Sequence, residues 1–114
     1  MRTVTSKDGT TIAYDQVGQG PALVLVDGAL EQRAMHSAAP QLVERLAQHF
    51  AVLDYDRRGR GDSSDTLPYA VRREIEDIEA LIDAVGGSAF LFGNSSGAAL
   101  ALEAAIALGQ KVKG

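Results

Sequence analysis

The residues with most chemical potential lie in three short polar segments of a chain of 114 residues. The first is Gly93-Asn94-Ser95-Ser96-Gly97, which matches the pattern G-x-S-x-G. The second is the loop from Asp54 to Ser63, and the third is Asp27-Gly28-Ala29. A serine framed by glycines between a strand and a helix is typical of a nucleophile that attacks an acyl carbon.

Sterics explain why glycines stand on both sides of the serine in the first segment. A sharp turn brings the backbone around a nucleophile close to the residues two positions away, so Gly93 and Gly97 avoid a clash. The turn presents the serine hydroxyl at the start of a helix, where free N–H groups favour negative charge. The pattern therefore predicts Ser95 as a nucleophile.

Two other interpretations of this segment stay open. A glycine- and serine-containing turn can simply start a helix without any catalytic role. In a shifted frame Ser96 would be the nucleophile, but Asn94 would then stand where a small residue is needed.

Composition excludes several classes of protein. With 46% hydrophobic and 23% charged residues, the chain is of ordinary globular type and long enough for one domain. A net charge of -4 disfavours a nucleic-acid partner, and the lack of cysteine excludes disulfide scaffolds, cysteine-ligated metals and thiol catalysis. The longest apolar stretch, 97–109, is interrupted by Glu103 and is too short to span a bilayer. We expect a cytoplasmic protein with no membrane partner.

Strands and helices alternate along most of the chain. Asp8-Gly9 predicts a hairpin turn, and five apolar residues at 22–26 predict a strand buried on both faces. A helix is expected from Ser37 to about Gln48, and the remaining elements follow in the order strand, helix, strand, helix. These are a strand at 50–53, a helix that ends at Gly86-Gly87, a strand at 89–92, a helix to about Leu108 and a polar tail at 110–114.

The helix before Gly86 has the clearest period. Its apolar stripe comprises Val71, Ile75, Ile78, Ile82 and Val85, and its acidic residues fall largely off that stripe. Alternating strands and helices predict an α/β three-layer sandwich, with a mostly parallel sheet and an antiparallel amino-terminal hairpin. Ligands bind such sheets at the carboxyl ends of the strands, where the loops 27–36, 54–66 and 93–96 should meet.

Taken together, these segments resemble the amino-terminal half of an α/β-hydrolase-fold protein. Besides the G-x-S-x-G turn, residues 56–63 resemble the family's D-x-R-G-x-G-x-S loop. Leu23-Val24-Leu25-Val26-Asp27-Gly28-Ala29 resembles the strand and His-Gly of the oxyanion loop. The resemblance covers essentially residues 1–114, and it implies an amino-terminal part whose carboxyl-terminal part is absent from the chain.

The resemblance implies roles for particular residues. Ser95 becomes the nucleophile, and the backbone N–H groups of Ser96 and Ala29 become the oxyanion donors. Asp56 and Arg58 are expected to organise the loop after the 50–53 strand. Gly28, Gly93 and Gly97 keep the turns tight, Arg57 and Arg60 are expected to be solvated, and no cofactor is implied.

Two departures from the family stand out. Asp27 replaces the usual histidine; it can organise the loop through N–H groups, or it can place a negative charge beside the site. The family order puts an acid and a histidine after the nucleophile, yet only Glu103 and no histidine follow Ser95. His49 precedes a strand and is expected at the wrong edge. His36 is expected at the right edge, as a solvated residue at a helix start; the alternative is that it approaches the site as a base.

These observations lead to two hypotheses about function. The first is a serine hydrolase that acts on a small ester or related acyl substrate through Ser95, with the general base and acid outside this chain. The second is a non-catalytic scaffold that assembles with a complementary carboxyl-terminal chain or with itself, because the 89–92 edge and the last helix are apolar. A nucleotide-binding domain is disfavoured, since Gly59-Arg60-Gly61 lacks a third glycine at the required spacing.

Overall fold

The computed structural model describes residues 2–26, 40–93 and 96–113, with the backbone alone at 40–42 and 96. The strands are β1 (Arg2–Thr5), β2 (Thr11–Val17), β3 (Ala22–Val26), β4 (Ala51–Tyr55) and β5 (Phe90–Gly93). The helices are α1 (Pro40–Leu46), α2 (Val71–Ala84) and α3 (Ser96–Leu108), and a 3-10 turn follows at Gly109–Lys111. No helix in these ranges is long and apolar enough to cross a membrane.

The strands form one mixed sheet in the order β1-β2-β4-β3-β5. β1 pairs with β2, and β2 with β4, in antiparallel fashion, whereas β3 is parallel to both β4 and β5. The predicted α/β class, with its antiparallel amino-terminal hairpin, is confirmed.

The interior strand β3 separates two packed layers of side chains. Val24 and Val26 pack into the core that α2 and α3 cover, while Leu23 and Leu25 pack on the opposite face with Val43 of α1. Because both faces of β3 are buried, its sequence shows an unbroken apolar run instead of alternation.

The hairpin turn between β1 and β2 forms where Asp8-Gly9 predicts it. The Thr10 backbone N–H donates to the Asp8 carboxylate at 3.1 Å, and Gly9 has a φ of 91°. This left-handed conformation suits glycine, because it has no Cβ to clash with the backbone.

Helix α2 differs from its predicted pattern in one respect. Ile78 and Ile82 are buried as expected, but Val71 is 48% exposed. Two acidic residues that the apolar period places off the buried stripe, Glu74 and Asp77, are also buried. Periodicity misses them because their burial depends on arginines from a distant loop.

Arg58 is the buried partner of Asp77. Its guanidinium donates to the two carboxylate oxygens of Asp77 at 2.8 and 2.6 Å, and to Asp8 at 2.9 Å. The Arg58 side chain is only 1% exposed. Hydrogen bonds from Arg58, and then from Thr10, hold the pKa of the Asp8 carboxyl well below its usual range. One side chain thus joins the hairpin turn, the loop after β4 and helix α2.

The segment after α3 departs from the expected polar tail. Val112 forms a parallel bridge with Ala89, whose N–H donates to Lys111 O at 2.9 Å and whose carbonyl accepts from Lys113 at 2.8 Å. The Lys111 ammonium also pairs with Glu79 of α2 at 2.9 Å. Residues 111–113 therefore pair with Ala89, the residue just before β5.

Removal of the negative charge on Asp77 tests the contribution of its buried pair with Arg58 to stability. In Asp77→Asn, we expect the free energy of unfolding to fall by about 3 kcal/mol, since a buried guanidinium loses its main counter-ion. Urea titration followed by circular dichroism measures the change. Arg72→Gln, whose side chain is 85% exposed, is the control and should change stability by less than about 0.5 kcal/mol. Equal losses in the two variants would contradict the assigned role.

Candidate active site

The three parallel strands bring the candidate segments to one edge of the sheet. Val26 of β3 is in register with Gly93 of β5, and Leu25 is in register with Asp54 of β4. The carboxyl ends of these three strands therefore lie at the same edge of the sheet, as the sequence predicts. Asp27, Gly28, Ala29, His36 and Ser95 lie outside the described residues, so their assigned roles stay predictions.

Gly93 lies where the end of β5 meets the start of α3. A Cβ built on Gly93 would lie 2.8 Å from the carbonyl oxygen of Gly97 and 2.9 Å from the backbone nitrogen of Ala98. Real Cβ atoms essentially never approach backbone this closely, so residue 93 must be glycine. Gly97 is buried, and Ser96 is the first residue of α3. This close strand-to-helix approach is the steric condition that the nucleophile turn requires.

Asp56 organises contacts within the loop that follows β4. The side chain accepts a hydrogen bond from the Asp62 N–H at 2.9 Å, and the Asp56 carbonyl accepts one from the Ser63 hydroxyl at 2.7 Å. The same hydroxyl oxygen accepts the Ala13 N–H at 2.9 Å, which ties the loop to β2. Gly61 has a φ of 49°, and a Cβ there would collide with the Asp56 carboxylate. These contacts are of the kind that the predicted loop-organising role requires.

Arg57 is buried, and the prediction that it is solvated is wrong. Its guanidinium forms a bidentate pair with Glu74, with Nε–Oε1 at 2.7 Å and Nη2–Oε2 at 2.6 Å. The Tyr69 hydroxyl donates to the same carboxylate at 2.5 Å. Glu74 thus accepts three hydrogen bonds while only 5% of its side chain is exposed. Arg60 is exposed, as expected.

Opposing effects act on the ionisation of this cluster. Burial by itself would raise the pKa of the Glu74 carboxyl, but hydrogen bonds from Arg57 and Tyr69 outweigh burial and lower that pKa. The hydrogen bond to Glu74 raises the pKa of both the Arg57 guanidinium and the Tyr69 hydroxyl. Glu74 is therefore held as a carboxylate.

The cluster of Arg57, Tyr69 and Glu74 forms a wall shared by two clefts. One cleft, of about 180 Å³, lies against α3 and is also lined by Val71, Ala99, Leu100 and Glu103. The other, of about 140 Å³, is also lined by Arg58, Arg60 and Asp65. Glu74 and Tyr69 are not predicted as site residues by any local sequence pattern. The burial of Glu74 depends on Arg57, which is 17 positions away, and Tyr69 joins the cluster through its hydrogen bond to Glu74.

The described histidine does not lie at this edge. His49 is exposed and precedes β4, and its carbonyl oxygen would be 2.6 Å from a Cβ built on Gly20 just before β3. It therefore lies at the amino ends of the parallel strands, opposite to Gly93, as predicted. Glu103 is exposed and lies seven residues after Ser96, the first residue of α3.

Comparison with known proteins agrees with the fold. A family model described as "Alpha/beta hydrolase family" matches residues 23–114, and the chain belongs to this family. It is 32% identical over 103 residues to the uncharacterized hydrolase YraK of Bacillus subtilis, covering 86% of this chain and 36% of YraK.

Solved structures of similar fold include an alpha/beta hydrolase from Sphaerobacter thermophilus, at 59% identity and a TM-score of 0.88. The esterase RhEst1 from Rhodococcus sp. ECU1013 is 29% identical, with a TM-score of 0.84. Each alignment covers 97% of this chain and 42% of the other. The chain thus spans less than half the length of these relatives.

A methyl group at residue 93 tests the close approach of β5 and α3. We expect Gly93→Ala to lower the free energy of unfolding by about 2–3 kcal/mol, because backbone of α3 must move. Gly86→Ala is the control, because a Cβ there would meet nothing within 4 Å. It should lower the free energy of unfolding by only about 1–2 kcal/mol, since alanine is strained at the positive φ of this residue. Thermal and urea unfolding measure both changes, and a smaller loss for Gly93→Ala would count against the close approach.

The ionised Glu74 predicts a pH dependence of stability. A lowered pKa in the folded state stabilises the protein above the carboxyl pKa of the unfolded chain, about 4.3, and this contribution is lost as pH falls. Glu74→Gln should be about 2 kcal/mol less stable at pH 7 and should lose less stability than the wild type between pH 5 and pH 3.

Denaturant unfolding at a series of pH values measures this difference. Glu44→Gln, at an exposed position of α1, is the matched control and should follow the wild-type profile. If Glu74→Gln and the wild type lose equal stability on acidification, Glu74 is not held ionised by its partners.

Proposed function

We propose that the protein is a serine hydrolase that acts on a small ester or related acyl substrate through Ser95. The observation that carries the proposal is the strand-to-helix crossing at Gly93, where backbone atoms of Gly97 and Ala98 leave no room for a side chain. Membership of the alpha/beta hydrolase family and the likeness to an esterase support the same chemistry. The fold alone would not support serine-hydrolase chemistry, because this fold hosts several kinds of reaction.

The proposed reaction is acyl transfer in two stages. The Ser95 hydroxyl oxygen forms a bond to the carbonyl carbon, its proton passes to a general base, and the carbonyl electron pair moves onto oxygen. Backbone N–H groups of Ala29 and Ser96 would stabilise that oxyanion. Collapse expels the protonated alcohol, and water then releases the acid from Ser95 by the same route. No cofactor is needed for these steps.

The general base and acid are proposed to come from outside these 114 residues. Within the chain, His49 lies at the opposite edge of the sheet, and no histidine follows Ser95 in sequence. Glu103 lies eight residues beyond Ser95, which is about 12 Å along a helix axis. Without a base the hydroxyl is a weak nucleophile, so the chain by itself should show weak activity.

A second candidate function is a non-catalytic scaffold in the cytoplasm, completed by another polypeptide or by a second copy. The observation that favours it is the outer face of α3, where Leu102 is 63% and Ile106 is 72% exposed. Phe92 on β5 is 38% exposed as well. A strand-and-helix surface of this composition is typical of an interface.

A serine-reactive fluorophosphonate probe separates these candidates. If Ser95 is the nucleophile, the probe should label the wild type and Ser96→Ala once a chain that carries the acid and base is added, and labelling of Ser95→Ala should be at least about tenfold lower because the reactive oxygen is gone. Intact-mass spectrometry counts the adducts, and peptide mapping locates them.

The opposite outcomes are equally informative. Labelling of Ser95→Ala with loss in Ser96→Ala would move the nucleophile by one residue. No labelling of any variant in the presence of a chain that carries the acid and base, together with a mass above the monomer by light scattering, would favour the scaffold. Substrate turnover by the wild type should be restored by addition of a chain that carries the acid and base.

A further inference from the structure

Five consecutive apolar residues, Leu67-Pro68-Tyr69-Ala70-Val71, are all exposed; we call this segment the apolar ridge. Leu67 is 80% exposed, Tyr69 is 55% exposed and Val71 is 48% exposed. Isolated exposed apolar residues are common on protein surfaces, but a continuous run is not expected unless it has a function. The proposed hydrolase chemistry gives this run no role.

The apolar ridge adjoins a groove with basic walls. Pro68 and Ala70 line this groove with Lys7, Arg72, Arg73 and one acidic residue, Glu76, over a volume of about 410 Å³. We call these three cations together the basic groove. Lys7 is exposed and forms no ion pair with any residue in the described ranges. The Arg72 side chain is 85% exposed.

Two carboxylates oppose these cations only in part. Glu76 accepts a hydrogen bond from Arg73 at 2.9 Å and lies 4.0 Å from Arg72. Asp8 lies 3.9 Å from Arg73, but its hydrogen bonds go to the buried Arg58. The groove therefore retains positive charge although the chain as a whole carries -4.

We propose that the apolar ridge and the basic groove dock this protein onto an anionic lipid bilayer. Leu67 is 80% exposed, so it can enter the headgroup layer, and the exposed part of the Tyr69 ring, whose hydroxyl is bonded to Glu74, can lie against that layer. Lys7 and Arg72 then lie beside the inserted segment, where each cation gains from the negative surface potential of the lipid.

A bilayer fits these observations better than a protein partner does. The apolar residues are exposed and are followed directly in sequence by Arg72 and Arg73, so apolar and charged surface are adjacent. The expectation of no membrane partner came from the lack of a spanning segment, and peripheral docking needs none.

Docking would also orient the candidate active site. The apolar ridge leads into Val71, the first residue of α2, and it follows the loop that leaves β4 at its carboxyl end. Tyr69 and Val71 line the cleft against Ala99 of α3. The bilayer would thus face the edge of the sheet at which Gly93 meets α3.

Vesicle co-sedimentation of the 114-residue chain tests the proposal. We expect binding to phosphatidylcholine vesicles that contain phosphatidylglycerol, and at least about fivefold weaker partitioning onto phosphatidylcholine alone. Raising the salt concentration should weaken the binding to the anionic vesicles.

Two variants report on the two parts of the surface. Leu67→Ser should reduce partitioning about fivefold by removing apolar area, and Arg72→Glu should do so by reversing a charge. Both side chains are exposed, so unchanged melting temperatures verify that the variants fold. Leu102→Ser, on the exposed face of α3, is the matched control and should bind like the wild type.

Several results would overturn the proposal. These are no binding to anionic vesicles, equal binding to both kinds of vesicle, or full binding by Leu67→Ser and Arg72→Glu. Loss of binding in Leu102→Ser alone would assign the lipid contact to α3. If light scattering without lipid shows a dimer that Leu67→Ser dissociates, the apolar ridge is a protein interface. None of these readouts depends on the reactivity of Ser95, so failure here leaves the proposed hydrolase function standing.

Discussion

A guanidinium that is 1% exposed must be compensated, and the arrangement around the candidate site depends on how Arg58 meets that requirement. Its hydrogen bonds reach Asp77 on α2 and Asp8 in the hairpin turn, so it joins elements distant in sequence. Arg57 adds a second bidentate pair, to Glu74, one turn before Asp77 on the same helix. The two adjacent arginines thereby hold the loop after β4 against α2.

The sheet supplies the second constraint. Since β3, β4 and β5 are parallel, their carboxyl ends and the loops that follow converge on one edge. At that edge the contact of Gly93 with the backbone of α3 sets how sharply the chain turns into the helix. Family membership and this steric condition support the proposed chemistry, in which the acid and base are proposed to come from outside these residues.

Much of the fold could be predicted from local patterns. The apolar run at 22–26, the Asp8-Gly9 turn and the glycines around Ser95 each report a requirement that neighbours in sequence impose. Arg57 was misjudged because a charged residue in a polar loop is usually solvated, and only the approach of Glu74 makes burial favourable. The exposure of residues 67–71 could not be predicted from the sequence either, because an apolar run ordinarily indicates burial.

The sequence by itself determined the order of strands and helices, the α/β class, the family and the glycine-framed position of Ser95. Those features follow from hydrophobic periodicity and turn sterics, which act over a few residues. Only the tertiary structure decided which charges are buried, that Val112 forms a bridge with Ala89, and that the apolar ridge lies next to Lys7. Each of these depends on residues at least 17 positions apart in sequence, whose meeting is set by packing of the whole sheet and its helices.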